Sequence, residues 1–173
     1  REFFGVTTGV LLNKSLADFN EAIRLDPQYA SIYANRCGAY VAMGELDKAI
    51  ADCNTAINLD PRYTPAYFNR GNAYKNKAHS IRRNLATGLE SPDFTPDQLL
   101  DRAIADYSQA IRLSPQYAEA YANRGNSYKD KNQFDKAFAD FDEAIRVSPK
   151  FAGAYVGRGI AYVETNQLDK AIK

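Results

Sequence analysis

The stretch that decides the fold is Ala118 to Phe151, AEAYANRGNSYKDKNQFDKAFADFDEAIRVSPKF. In its first half, side chains recur at i, i+3, i+4 and i+7, the spacing that places them on one face of a helix. These positions are Tyr121, Arg124, Gly125 and Tyr128. The second half repeats the spacing at Phe134, Ala137, Phe138, Phe141, Ala144 and Ile145. A polar turn separates the halves and a Ser-Pro pair ends the second, because proline disfavours helix in the residue before it. The stretch therefore predicts a helical hairpin of 34 residues.

This hairpin recurs along the chain. Its proline falls at Pro27, Pro61, Pro115 and Pro149, and its first tyrosine at Tyr33, Tyr67, Tyr121 and Tyr155. Both series step by 34, 54 and 34 residues, so one repeat carries 20 additional residues. The same register is kept by a second tyrosine column (Tyr40, Tyr74, Tyr128, Tyr162) and two alanine columns (Ala22, Ala56, Ala110, Ala144; Ala49, Ala103, Ala137, Ala171). A 34-residue period of paired helices predicts an all-α solenoid of antiparallel helix pairs.

The repeated residues resemble the tetratricopeptide repeat (TPR) family. The family's pattern of aromatic, glycine, tyrosine, two alanines and proline is matched in one repeat by Tyr67, Gly71, Tyr74, Ala103, Ala110 and Pro115. The resemblance covers residues 12–173, with tyrosine at the usual tryptophan, arginine at the usual leucine, and Cys37 at one glycine. It implies a right-handed superhelix whose first helices line a concave groove.

The repeats divide one predicted domain, 1–173, into units. We expect a partial repeat at 1–29, repeats at 30–63, 64–117 and 118–151, and a truncated repeat at 152–173. The partial units at both ends suggest a fragment of a longer protein, because an uncapped terminal repeat exposes its apolar face. Helices are expected near 12–25, 31–43 and 46–59.

The 20 additional residues, about 79–98, are predicted to be helical rather than a loose linker. Thr95 followed by Gln98 makes a capping box, the signature of a helix start. We expect two long helices, Thr64 to Thr87 and Pro96 to Leu113, joined by a loop containing Ser91 and Pro92. The apolar residues of this hairpin either pack on one another, the simpler interpretation, or form a docking surface. They are Ile81, Leu85, Leu89 and Phe94.

Composition agrees with a soluble all-helical protein. The chain has 45% hydrophobic and 25% charged residues and a net charge of +1, so nothing commits it to nucleic acid. No apolar run approaches a membrane span, and no signal peptide is recognised at the start. Cys37 and Cys53 are interpreted as buried thiols rather than as a disulfide or a metal site. A reducing, cytoplasmic location is therefore expected.

A charged ladder is predicted along the stack. One arginine column falls on the apolar stripe of the first helices (Arg36, Arg70, Arg124, Arg158), and one aspartate column on the second helices (Asp18, Asp52, Asp106, Asp140). A partly buried guanidinium needs a carboxylate or carbonyl partner, which it can hold with two parallel hydrogen bonds. Pairing each aspartate with the following arginine gives four pairs and pairing within a hairpin gives three, so the first scheme is preferred.

The side of the first helices away from the apolar stripe is rich in asparagine. At about 100° per residue, Asn69, Asn72 and Asn76 cluster there, and other repeats supply Asn35, Asn123, Asn126 and Asp130. Under the resemblance, these residues line the groove, where carboxamides suit the backbone of an extended peptide. Gly157 interrupts the column. The alternative is that these asparagines are merely solvent-exposed and bind nothing.

The function predicted from these features is a scaffold that binds a peptide or partner segment in the groove. The carboxylate clamp of chaperone-binding repeats is not expected, since the matching positions hold no lysine or arginine. In the two possible registers they are Phe68, Asn72, Asn123, Gly153 and Gly157, or Ala34, Gly38, Asn69, Glu119 and Asn123. Lysines at the turn edge would favour acidic peptides: Lys75, Lys77, Lys129 and Lys131. The alternatives are self-association through exposed repeat ends and a regulatory arm of a larger enzyme. No catalysis, cofactor or metal is expected, because the only histidine, His79, has no cysteine or acidic cluster at ligand or triad spacing.

Overall fold

The computed structural model describes residues 8–86 and 94–165. These residues form eight α-helices and no strand. In chain order they are α1 (Thr8–Leu25), α2 (Ala30–Met43), α3 (Leu46–Leu59), α4 (Thr64–Ala86), α5 (Pro96–Leu113), α6 (Ala118–Asp130), α7 (Phe134–Val147) and α8 (Ala152–Glu164). The predicted all-helical stack is confirmed. None of these helices is both long and apolar enough to cross a membrane.

Helices alternate between two layers. The first helices of successive hairpins contact one another, as α2 with α4, α4 with α6, and α6 with α8. Within the described ranges, successive second helices such as α3 and α5 make no such contacts. The layer whose members approach one another lies on the inside of the curve. The first helices therefore form the inner surface and the second helices the outer one.

The first tyrosine of a repeat bonds its helix to the turn that precedes it. Tyr33, Tyr67 and Tyr155 donate hydrogen bonds to the carbonyls of Pro27, Pro61 and Pro149, at 3.0 to 3.1 Å. Six alanines of the two helix-packing columns are fully buried: Ala49, Ala56, Ala103, Ala110, Ala137 and Ala144. Ala22 in α1 is partly buried, and Ala171 lies outside the described residues. Small side chains let the helix backbones approach closely, which is why these columns hold the register.

The hairpin α4–α5 is longer than the others. Its helices have 23 and 18 residues, whereas α2, α3, α6 and α7 have 13 or 14. Thr95 caps α5 as predicted: its side chain accepts from the Gln98 amide at 3.2 Å, and the Gln98 side chain accepts from the Thr95 amide at 2.8 Å. The two long helices are confirmed over residues 64–86 and 96–113. The predicted end of the first at Thr87 and the joining loop at Ser91 and Pro92 lie outside the described residues.

The apolar residues of the long hairpin are divided. Ile81 is buried in a cluster with Ala78, Leu99 and Leu100, as the packing interpretation predicts. Leu85 remains 45% exposed and Phe94 36% exposed. The guanidinium of Arg102 lies over the Phe94 ring at 4.1 Å, a contact that covers the ring with a cation. Leu89 is not among the described residues.

The interpretation of the cysteines as free thiols is wrong. Cys37 of α2 and Cys53 of α3 form a disulfide, with Cα atoms 5.6 Å apart and both side chains fully buried. The expectation of a reducing compartment rested on free thiols, and this bond removes that support. The equivalent places in later hairpins bring a glycine against an aromatic ring, Gly71 against Tyr107 and Gly125 against Phe141. The two cysteines therefore meet where the helices of each hairpin come closest.

Candidate functional site

An arginine–aspartate ladder lies between the two helical layers. Arg36, Arg70 and Arg124 each hold the aspartate of their own hairpin through Nε and Nη2, at 2.6 to 2.8 Å. The partners are Asp52, Asp106 and Asp140, all buried. The preferred pairing, of each aspartate with the following arginine, is wrong.

The third guanidinium nitrogen of each arginine nevertheless contacts the preceding hairpin. Nη1 of each arginine donates to a residue two positions after the expected aspartate, at 2.6 to 2.9 Å. The acceptors are Asn20, Asn54, Ser108 and Asp142. Arg158 uses this contact with Asp142, and Asp18 is exposed. Counting only the aspartate column missed these acceptors, because they are chemically mixed and form no visible column.

The ladder also contacts the first tyrosine of each repeat. Each guanidinium carbon lies 5.7 or 5.8 Å from the centroid of the tyrosine three residues earlier. Hydrogen bonding to Asp52 raises the pKa of Arg36, and bonding to Asp140 raises the pKa of Arg124. These arginines are permanently charged and hold the helices together. The residues available to a ligand are the asparagines and lysines of the inner surface.

Three of the predicted groove asparagines make contacts within the protein. Asn69 donates to the carbonyl of Ala34 at 3.0 Å, which ties α4 to α2. Asn72 accepts from the hydroxyl of the buried Tyr107 at 2.7 Å, and Asn123 accepts from Lys75 Nζ at 2.7 Å. Each amide uses only part of its hydrogen-bonding capacity in these contacts.

The other asparagines of the column are differently placed. Asn35 is exposed and lines an open cavity of about 490 Å³ with Ser31 and Tyr63. Asn126 is partly buried, and Asn76 lines a second cavity beside the end of α2. At Gly157 a Cβ would lie 2.5 Å from Phe141 Cε1, so this position has no room for an asparagine.

Four lysines lie along the turn edge of the inner surface, and three of them have carboxylate partners. Lys77 binds Asp47, and Lys131 binds Asp101. Lys129 lies 3.2 Å from Asp130 Oδ1 and 3.3 Å from Glu164 Oε1. Its side chain is only 14% exposed, so its charge is both buried and compensated.

Lys75 differs from these three. It lies between α4 and α6, and its one hydrogen bond among the described residues goes to the neutral amide of Asn123. Burial lowers the pKa of Lys75 below its usual value, and the charge of Asp130 only partly opposes this effect. Even a partly buried cation is costly without a directly bonded carboxylate, because it has lost part of its water and gained little in return.

A second polar cluster joins the long part of α4 to the end of α6. His79 Nε2 lies 2.7 Å from Asp130 Oδ2, and Arg82 donates to the Asp130 carbonyl at 3.0 Å. Burial alone would raise the pKa of Asp130, but the contacts with His79 and Lys129 outweigh it and hold that pKa below its usual range. The Asp130 carboxylate is therefore an anion already engaged by His79 and Lys129.

Metal chemistry finds no support in the geometry. Across residues 8–86 and 94–165, no three His, Cys, Asp or Glu side chains are grouped so as to hold an ion.

Two features of the site were not predicted from the sequence, namely the hydrogen bond from Tyr107 to Asn72 and the cavity beside the end of α2. Tyr107 and Phe141 occupy the same repeat position, and this aromatic column could have indicated that Tyr107 is buried against α4.

Comparison with known proteins agrees with this architecture. The match to TTC0263, a TPR protein from Thermus thermophilus, covers 94% of this chain and 78% of that one, at a TM-score of 0.75 and 22% identity. The match to MamA has a TM-score of 0.70 and 23% identity, covering 97% of this chain and 86% of that one. The first TPR of Spaghetti (RPAP3), bound to the HSP90 peptide SRMEEVD, matches at 0.59 and 21%, covering 84% and 92%. These TM-scores show a shared fold.

The family follows from the sequence itself. No curated protein matches the chain. A TPR repeat model matches residues 38–77 and 99–131, and a tetratricopeptide repeat model matches residues 118–151. Together these matches span more than half of the chain and the hairpins that carry the ladder. The chain therefore belongs to the tetratricopeptide repeat family, whose members are typically non-catalytic interaction modules.

Proposed function

We propose that this chain is a protein-interaction scaffold whose inner surface, between α4 and α6, binds an extended peptide carrying an acidic side chain. The observation that carries the proposal is Lys75. Its ammonium group is partly buried and hydrogen-bonded to an amide, whereas Lys77, Lys129 and Lys131 have carboxylates. A ligand carboxylate would complete the pairing that the described part of the protein leaves open.

The amides around Lys75 suit the rest of such a ligand. Asn72 and Asn123 each present a carboxamide that is already oriented by a neighbour, Tyr107 and Lys75 respectively. Such held side chains lose little conformational freedom when a ligand binds. Their remaining donors and acceptors can meet the backbone of an extended peptide, which supplies the same groups in alternation. Asn126, on the same helix as Asn123, extends this polar surface.

A structural neighbour supports the class of ligand. The RPAP3 domain holds the peptide SRMEEVD, which contains two glutamates and an aspartate. The present chain lacks the clamp positions expected of chaperone-binding repeats, so we propose an internal acidic residue, held at Lys75, rather than a clamped chain end. The fold is shared with that neighbour, while the recognising residues are this chain's own.

The experiment is a peptide-display selection on the immobilised chain, followed by anisotropy measurements on the enriched sequences. We expect enrichment of aspartate and glutamate at one position, with binding that weakens as salt is added. Lys75→Met should weaken the selected peptides at least about tenfold, the loss of one charge-assisted hydrogen bond. The matched control is Lys150→Met, an exposed lysine in the loop before α8. Selection without acidic enrichment, or equal loss in both variants, would refute the proposal.

A second candidate function is self-association through the ends of the stack. Val156, Ile160 and Val163 of α8 are 46% to 60% exposed, and Val10 and Leu11 of α1 are 45% and 54% exposed. Light scattering over a range of concentrations separates this candidate from the first. A mass that rises with concentration and falls for Ile160→Glu would favour assembly, and a constant monomer mass would exclude it.

A further inference from the structure

The long helix α4 creates a cavity that the shorter first helices do not. α2 ends at Met43, whereas α4 continues to Ala86 and overhangs the turn between α2 and α3. Between them lies an open cavity of about 810 Å³. This volume falls in the range of about 300 to 1,000 Å³ that binding pockets occupy.

The two walls of the cavity differ in chemistry. One wall is apolar and comes from the end of α2 and the start of α3, with Val41, Met43 and Leu46. The other is a polar stripe of α4, with Asn76, Ser80 and Arg83 at i, i+4 and i+7. This spacing places the three side chains on one face of the helix.

The charge of the polar wall is positive. His79 and Arg82 also border the cavity, but both are engaged within the protein. His79 contacts the Asp130 carboxylate, and Arg82 donates to the Asp130 carbonyl and lies 3.0 Å from Asp97. Arg83 is exposed and makes no ion pair or hydrogen bond with any residue in 8–86 or 94–165. Met43 on the facing wall is 37% exposed. The cavity thus opposes an exposed guanidinium to an apolar side chain.

We propose that this cavity is a second peptide site, which takes a short segment with an aliphatic side chain followed by an acidic one. The aliphatic group packs on Val41, Met43 and Leu46, and the carboxylate pairs with Arg83. Asn76 and Ser80 bond the segment's backbone, and an open cavity suits a chain that passes through it. The site goes beyond the groove site at Lys75, because Lys75 does not line it.

The chain supplies its own reporters for this cavity. It contains one methionine and one histidine, Met43 and His79, and both line the cavity. With ¹³C-methyl methionine, NMR therefore follows the apolar wall through the Met43 methyl signal, assigned with Met43→Leu. The His79 ring protons follow the polar wall. Both signals are observed on the intact folded chain.

The probes are three end-blocked peptides, acetyl-Gly-Leu-Glu-Gly-amide and its Leu-Gln and Ser-Glu counterparts. We expect the Leu-Glu peptide to shift both signals saturably, and each counterpart to bind at least about tenfold more weakly, since each lacks one contact. Arg83→Gln should remove the preference for glutamate over glutamine, and Arg83→Lys should retain part of it.

Failure here is distinguishable from failure at the groove. Lys75→Met should leave these shifts unchanged if the cavity is an independent site. No saturable shift, equal affinity for the three peptides, or an unchanged preference in Arg83→Gln would each overturn the proposal. Met43→Leu, which keeps the wall apolar, should bind as the parent does.

Discussion

The hairpins α2–α3 and α4–α5 solve one packing problem in two ways. At the point of closest approach, α2–α3 has a disulfide between Cys37 and Cys53, with a sequence separation of 16. At the equivalent point, α4–α5 packs the fully buried ring of Tyr107 on the backbone of Gly71. The first solution is covalent and local, while the second depends on how well a ring fits a gap.

The difference teaches what this column requires of its occupants. A tyrosine needs a partner without a side chain, because a Cβ at Gly71 would lie 2.7 Å from the ring. Two cysteines are together small enough to meet in the same space. The Tyr107 hydroxyl also bonds Asn72 on the inner surface, so the aromatic solution connects the core to the proposed binding face. The disulfide makes no such connection.

Removing the ring should have the largest effect. We expect Tyr107→Ala to destabilise the chain by about 3 to 5 kcal/mol, because a large buried side chain is replaced by a cavity. Urea unfolding followed by circular dichroism measures this loss. Tyr29→Ala is the control, since that side chain is 60% exposed. Similar losses in the two variants would mean that the ring does not hold the hairpin together.

Removing the disulfide should cost somewhat less. A bond that closes a loop of this length stabilises a protein by about 3 kcal/mol, mainly by restricting the unfolded chain. The double variant Cys37→Ala with Cys53→Ala should lose that amount in unfolding experiments. Reductant should lower the stability of the parent and leave the variant unchanged. If the parent releases two thiols on denaturation without reductant, the bond is absent.

Replacing glycine by alanine in this column should change stability in opposite directions at two positions. Gly71→Ala is expected to destabilise the chain by about 1 to 3 kcal/mol, because the ring must move. Gly159 occupies the same column in α8, where a Cβ would meet no atom of the described residues within 4 Å. Gly159→Ala should therefore stabilise by about 0.5 to 1 kcal/mol, the ordinary gain in helix propensity. Equal effects at both positions would disprove the close-contact explanation.

Much of the fold was predictable because the repeat averages out local ambiguity. A tyrosine or an alanine that recurs in register identifies a buried position, and the resulting helix bounds match the structure within a few residues. The cysteines were misread as thiols because their positions were not aligned with the columns of the other repeats. Aligning Cys53 with Tyr107 and Phe141, and Cys37 with Gly71 and Gly125, places the two in contact.

The candidate site was less predictable than the fold. A sequence column gives the face on which Asn69, Asn72 and Asn123 lie, but it does not tell which of them a neighbour already occupies. Asn69 is bonded to the Ala34 carbonyl, a group that every residue has and no pattern marks. Lys75 and Lys129 occupy equivalent positions, and so do Asp130 and Glu164. The difference arises because the Asp130 carboxylate contacts Lys129 and His79 and forms no ion pair with Lys75. Such individual contacts become visible only in three dimensions.

The most direct test of the account is the Lys75→Met variant, with stability and peptide affinity measured on the same samples. Removing a partly buried cation that lacks a directly bonded carboxylate among the described residues should stabilise the chain by about 1 kcal/mol. The same change should weaken the selected acidic peptide at least about tenfold. Lys129→Met should instead be destabilising, since it leaves Asp130 and Glu164 with one cation fewer. A Lys75→Met variant that is less stable than the parent, or that binds the peptide equally well, would contradict the claim that Lys75 is held for an acidic ligand.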